Sequence, residues 1–192
     1  MKNAKSVVMP LAPHFRLSGK QSPTTAEDKA YMENVPYASA VGSLMYVLVC
    51  TRPDISQAVS VVSRFMANRG KAHWEAVKWI LGYLKGTIDT GLCFSEKSYQ
   101  ISGFVDSDYA GDLDRRRSTT GYLYKIQGAL VSWRSMLQAT MALSTTEVEY
   151  MAIAEGVKEV LWLRGLLDDL GLKQDCVNLS WDSQSTIYLA KN

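Results

Sequence analysis

Residues 144–171 read STTEVEYMAIAEGVKEVLWLRGLLDDLG. The spacing of the apolar residues predicts one long helix from about Thr145 to Leu170. Ser144-Thr145-Thr146-Glu147 is a Ser-x-x-Glu capping box, with Ser144 as N-cap and Glu147 reaching back to its backbone N–H. Gly171 is the stop. Projected at about 3.6 residues per turn, Glu149 shares a stripe with Ala152, Ile153, Gly156, Val160, Leu163 and Leu167. That stripe is apolar and faces a sheet, and Glu149 is the charge in its first turn. No Lys or Arg lies one turn away on it. A buried carboxylate is costly unless something cationic pairs with it. A bound divalent cation answers the problem, and so does a solvated helix end. Glu147 therefore belongs to the cap, and Glu149 is the site candidate.

Outward from the helix, ISGFVDSD (101–108) alternates with period two, as does LCFSE (92–96). TGYLYKIQ (120–127) and ALVSWRSM (129–136) form a hairpin joined through Gln127-Gly128. After the helix, VNLSWD (177–182) is a short strand, and SQSTIYLAKN begins a further helix. The order strand, strand, strand, helix, strand, helix predicts a mixed α/β fold. Asp106 closes ISGFVD and Asp182 closes VNLSWD, at the strand ends where sheet enzymes place their sites. Taken alone, each reads more readily as an ordinary turn-initiating aspartate. Together with Glu149 they can form an all-oxygen cage suited to Mg²⁺ or Mn²⁺. Two such ions about 4 Å apart activate water and steady the leaving oxygen in phosphodiester cleavage.

The first half reads differently. Residues 1–35 carry Pro10, Pro13 and Pro23 and predict an extended lead-in, packed or loose. Three helices follow: YASAVGSLMYVLVC (37–50), DISQAVSVVSRFM (54–66) with Pro53 in its first turn, and HWEAVKWILGYLKG (73–86). In the third, Trp74, Val77, Leu81 and Leu84 recur at helical spacing, and Gly86 is placed to end it. The expected division is 1–95 and 96–192. Residues 1–95 hold eleven Lys/Arg against six Asp/Glu, and 96–192 hold ten against thirteen. A basic half beside an acidic one suits an electrostatic platform next to an acid-lined site, and is also within compositional scatter. Cys50, Cys93 and Cys176 are scattered and odd in number, which favours reduced intracellular thiols over a disulfide or zinc framework. His14 and His73 are isolated. The longest apolar run, Leu44 to Cys50, is too short to span a bilayer, so no membrane partner is expected.

Three strings, VDSDYAGDLDRRRSTTGYLY, VSWRS…ALSTTEVEYMA and WDSQSTIYLAKN, resemble in order the ribonuclease H domain of copia-type retrotransposon polyproteins. Upstream, VPYASAVGSLMYVLVCTRPDISQAVSVVSRFM and HWEAVKWILGYLKGT resemble the end of the reverse transcriptase of the same family. The resemblance implies a reverse transcriptase tail over 1–95 and a ribonuclease H-like mixed sheet with flanking helices over 96–192. It implies hydrolysis of the RNA strand of an RNA–DNA hybrid, with two Mg²⁺ or Mn²⁺ ions held by four carboxylates. Three of these fall on Asp106, Glu149 and Asp182, and Ser183 and Gln184 fall where the family contacts the hybrid. The family's fifth strand, closing helix and fourth carboxylate would lie beyond Asn192. The polymerase's Tyr-x-Asp-Asp string is absent, and the segment after Trp133 reads RSMLQATMALS where the family has a Lys near Met136. The expectation is a weak or inactive nuclease, with a non-catalytic remnant or a nucleic-acid-binding or interaction module as the alternative. Its partners would be the hybrid and the rest of a reverse transcriptase, in a cytoplasmic particle or the nucleus.

Arg115, Arg116 and Arg117 sit in the turn leaving the first strand. They could neutralise phosphates without reading sequence, and they suit a solvated basic turn equally well. Hybrid recognition by groove shape and 2′-hydroxyls suits Ser and Gln side chains. Trp133 and Trp181 lie in strands, where core packing outweighs base stacking.

Overall fold

The structure, a computed structural model, describes residues 5–95 and 97–182. The chain divides into two compact units, Met1–Gly91 and Leu92–Asn192. The expected last helix, 183–192, lies outside the described residues. Among the described residues, no helix is long and apolar enough to cross a membrane.

The first unit is helical: α1 (Ala26–Glu33), α2 (Tyr37–Cys50), α3 (Ser56–Ser63) and α4 (Lys71–Gly86). The apolar periodicity fixes its core, where Tyr37, Val41 and Leu44 of α2 meet Val59 and Val62 of α3 and Val77 and Ile80 of α4. The predicted α2 is found as expected. α3 is shorter than predicted, because Pro53–Ile55 forms a separate 3-10 turn and the helix stops at Ser63. α4 starts two residues earlier than expected. There the buried His73 ring accepts the Gly70 N–H at Nδ1 (2.8 Å) and stacks on Phe65. Its Nε2 therefore carries the proton and donates to Ser18 O at 3.1 Å.

The lead-in departs from expectation in one respect. It contains α1, capped by Thr25 Oγ1, which accepts from Asp28 N at 3.1 Å. The stretch before α1 is a strap laid against α4. A Cβ on Gly82 would stand 2.9 Å from Lys5 O, and one on Gly86 3.0 Å from Ser6 Cβ. Trp79 Nε1 donates to Met9 O at 2.9 Å. Gly86 thus ends α4 where the strap passes close over it, and its φ is not left-handed.

Arg52 and Asp54 clasp the turn between α2 and α3. Arg52 is 6 % exposed. Its guanidinium donates to Asp54 Oδ2 (2.7 Å), Thr87 O (3.0 Å) and Thr87 Oγ1 (2.5 Å), and Tyr83 OH donates to Asp54 Oδ2 (2.7 Å). Burial pushes the Asp54 carboxyl up, but Arg52 and the Tyr83 hydroxyl outweigh it and hold the carboxyl below its ordinary value.

The second unit is a mixed α/β fold. Its elements are β1 (Ser102–Asp108), β2 (Thr119–Ile126), β3 (Ala129–Leu137), α5 (Thr145–Asp169) and β4 (Asn178–Ser180). The sheet order is β3-β2-β1-β4, antiparallel except for the parallel β1–β4 pair. The hairpin turns at Gln127 (φ 55°) and Gly128 (φ 77°), the paired left-handed residues of a tight two-residue turn. Among the described residues of LCFSE, 92–95 form no strand; Ser95 N–H reaches Gln127 O at 3.1 Å, and Gln127 N–H returns to Ser98 O at 3.2 Å.

α5 covers the sheet with Ala152, Ile153, Gly156, Leu163 and Leu167 buried and Val160 packed beside them, the predicted stripe. Gly156 is the point of closest approach. A Cβ there would lie 2.6 Å from Val105 Cγ2 and 2.9 Å from the Tyr124 hydroxyl, which donates to Gly156 O at 2.7 Å. Gly171 (φ 75°) ends the helix as expected, with Gly171 N bonded to Asp168 O and Leu172 N to Leu167 O.

Candidate functional site

Two strand lengths set the site. β1 pairs with β4 only through Ser102↔Asn178, Gly103↔Leu179 and Phe104↔Ser180. Its ladder with β2 continues through Asp106↔Gly121 to Asp108↔Thr119. Asp106 therefore does not close β1; the strand runs two residues further because β2 still supplies partners. Asp182 likewise lies two residues beyond the end of β4. Past Phe104 the parallel pair parts, and the opening lies at the carboxyl ends of the strands, where open α/β sheets bind ligands.

That opening is a narrow cleft lined by Val105, Asp106 and Ser107 of β1, by Glu149, Ala152 and Ile153 of α5, and by Trp181 and Asp182 after β4. Three carboxylates singled out separately in the sequence thus come to one cleft from three elements. Asp106 is exposed, and its Oδ1 accepts from Ser107 N at 2.7 Å. Glu149 is half-buried in the first turn of α5. Among the described residues, no three of His, Cys, Asp and Glu stand close enough together to hold a metal ion. The donor set, carboxylate oxygen only, fits a hard divalent cation. The carboxylates share the cleft without converging in it.

Glu147 belongs to the cap. Ser144 Oγ accepts from Glu147 N at 3.2 Å, and Glu147 Oε2 accepts from Leu143 N at 2.8 Å, one residue before the expected Ser144 N–H. Arg115, Arg116 and Arg117 do not line the cleft. They ride a loop folded on the buried Asp112, which bonds Arg116 N through its carbonyl (2.8 Å) and Asp114 N through Oδ1 (3.1 Å). Arg116 is left-handed there (φ 56°). Ser183 and Gln184 lie outside the described residues. Trp181 packs against the second core, whereas Trp133 is half-buried on β3 outside that cluster.

Sequence reasoning missed two polar residues at the α5–sheet contact. Glu159 accepts from Ser132 Oγ (2.7 Å) and Tyr122 OH (3.4 Å). Burial, with Glu159 beside it, pushes the Tyr122 phenol above its ordinary range. Gln138, buried after β3, donates to Thr120 Oγ1 and Val148 O. Neither residue sits in a motif; Glu159 is one position from the apolar Val160, and Gln138 falls in an aperiodic segment.

The chain is 57 % identical over 192 residues to the retrovirus-related Pol polyprotein from transposon TNT 1-94 of Nicotiana tabacum, covering all of this chain and 14 % of that protein. It is 38 % identical over 198 residues to the corresponding polyprotein from transposon RE2 of Arabidopsis thaliana, covering 100 % of this chain and 13 % of that one. Secreted RxLR effector protein 161 of Plasmopara viticola is 50 % identical over 133 residues, which is 69 % of this chain and 94 % of that protein. No family model matches the chain. No solved structure matches it. It spans about one seventh of the length of the polyproteins it matches. The chain is retrotransposon-derived and belongs to the retrovirus-related Pol polyproteins of copia-type transposons.

Proposed function

We propose that the second unit is a ribonuclease H-like domain whose ancestral task is metal-dependent hydrolysis of the RNA strand of an RNA–DNA hybrid. We read the first unit as the end of a reverse transcriptase. The observation that carries the reading is the cleft shared by Asp106, Glu149 and Asp182. These side chains would hold Mg²⁺ or Mn²⁺, which when bound supplies a water nucleophile and offsets charge on the leaving oxygen. The protein's own part is placement. Asp106 sits on a strand anchored by two neighbours up to Phe104, and Glu149 sits on a capped helix end. Arg115, Arg116 and Arg117 would meet phosphates at a distance from the cleft and add affinity without sequence choice. Ser183 and Gln184 belong to the same proposal as hybrid contacts.

Activity in this chain is expected to be weak or nil, since the three carboxylates share the cleft without converging in it. The test is cleavage of a labelled hybrid in Mg²⁺ or Mn²⁺ by this protein and its Asp106→Asn and Glu149→Gln variants. RNA cutting lost in both variants supports a working nuclease. Cutting that persists in them refutes the site.

The second reading is a non-catalytic remnant or interaction module. It is favoured by the carboxylates' failure to converge and by a relative, matched over 94 % of its length, whose name is unrelated to transposition. A well-folded wild type that cuts nothing supports it, and metal-dependent cutting sinks it.

A further inference from the structure

The first turn of α5 is held by a residue that never enters the cleft. Gln138 is 3 % exposed. Its Nε2 donates to Thr120 Oγ1 at 3.0 Å and to Val148 O at 2.9 Å, and its backbone N–H donates to Ser118 O at 2.9 Å. Val148 O belongs to the peptide link that joins Val148 to Glu149. Thr120 pairs with Ser107, the residue after Asp106. One side-chain amide therefore ties the peptide carrying Glu149 to the strand beside Asp106.

The orientation of that amide is fixed, because a flip would set its carbonyl oxygen against the Val148 carbonyl. Gln138 Oε1 is left buried without a hydrogen-bond partner. Such an orphan acceptor costs stability. Packing alone would be served better by Met or Leu, which fill the space and orphan nothing. The glutamine is explained by what its two donated bonds align.

We propose that Gln138 is a positioning residue for the carboxylate cleft, setting the reach of Glu149 toward Asp106 through the Val148–Glu149 peptide. This rests on the reading of the cleft as a cation site. Outer partners of metal-binding side chains change affinity by about ten- to a hundredfold when removed.

The test uses the full chain and Mn²⁺ alone as probe, titrated by electron paramagnetic resonance. The variants are Gln138→Met, Thr120→Val and Glu149→Gln. Gln138→Met keeps the side-chain length and loses both bonds, whereas Thr120→Val loses one bond and keeps the link to Val148. The expected result is Mn²⁺ affinity weakened about tenfold by Gln138→Met and less than about twofold by Thr120→Val. Equal weakening in the two, or none in Gln138→Met, overturns the positioning role while leaving the cation site standing. A wild type without saturable Mn²⁺ binding that Glu149→Gln removes overturns the cation site, and the positioning role with it. Should Gln138→Met fail to fold, nuclear magnetic resonance of the wild type decides. The Gln138 side-chain amide signals should shift with Mg²⁺ at the same midpoint as the Glu149 backbone amide. Signals that stay fixed while Glu149 moves overturn the proposal.

Discussion

Replacing Gly156 by Ala sets two effects of opposite sign against each other. Helix propensity alone favours the change by about 1 kcal/mol, since glycine in a helix interior gives up backbone entropy. Packing opposes it. The new methyl would sit 2.6 Å from Val105 Cγ2 and 2.9 Å from the Tyr124 hydroxyl, against an ordinary carbon–carbon separation of about 3.5–4.0 Å. α5 must lift by about 1 Å or Val105 must leave its rotamer, and overpacking of this kind costs about 1–3 kcal/mol. Lifting the helix also strains the 2.7 Å bond from Tyr124 OH to Gly156 O, a buried bond worth about 1 kcal/mol. The balance is a net loss of about 1–2 kcal/mol. Gly165, on the same helix, is exposed and has nothing within 4 Å of its would-be Cβ. Gly165→Ala therefore isolates the propensity gain and should stabilise by about 0.5–1 kcal/mol. Urea unfolding of both variants, followed by far-ultraviolet circular dichroism, separates the effects. A Gly156→Ala protein as stable as Gly165→Ala would refute the close-approach argument.

Other expectations follow from the two units. The folded Asp54 carboxyl titrates below its ordinary value of 3.8, so its contribution is fully present above that pH and is lost as the pH falls through the lowered value. Acid unfolding of the first unit should start at lower pH in wild type than other groups dictate, and Asp54→Asn should remove that acid-dependent contribution. At neutral pH the same variant should cost about 2 kcal/mol, less than breaking a fully buried pair, because the Asp54 side chain is 30 % exposed and Thr87 still bonds Arg52; denaturant midpoints check it. Ser144→Ala removes the cap that accepts from Glu147 N and should cost about 1 kcal/mol, read from the thermal transition of the second unit. Gly82→Ala should push the strap off α4, so trypsin should cut after Lys5 and Arg16 faster than in wild type; unchanged rates would refute the strap contact.

Much of the fold was legible because it is periodic. α2, α4, α5 and the hairpin follow from apolar spacing and from turn or stop glycines, signals carried by a single stretch of chain. α1 was not, since AEDKAYME buries only Met32 and has no stripe to show, and its neighbour Pro23 reads as a breaker. LCFSE alternates properly, yet its described residues 92–95 form no strand and meet the hairpin only at its turn, through Gln127, which its own residues cannot reveal. Three site carboxylates were legible because each violates a local pattern: a charge on an apolar stripe, or an acid following apolar strand residues. Their placement in one cleft depends on β4 pairing with β1 over three residues only, a register that no single segment encodes. Gln138 and the Thr87 and Tyr83 partners of the Arg52–Asp54 pair were hidden for the same reason, because those contacts are distant in sequence and run to uncharged side chains or backbone.

Gly82 and Gly86 touch the strap most closely where any residue but glycine would present the same atoms, the carbonyl oxygen at 5 and the Cβ at 6. A contact made to those atoms cannot distinguish one such side chain from another. Residues 5 and 6 are thus free to drift, while no missense change of codon 82 or 86 leaves the groove open. In a transposon copy released from selection, the hold between strap and helix would fail first by hits on the helix. Saturation mutagenesis would show this as two intolerant positions on α4 facing a permissive strap.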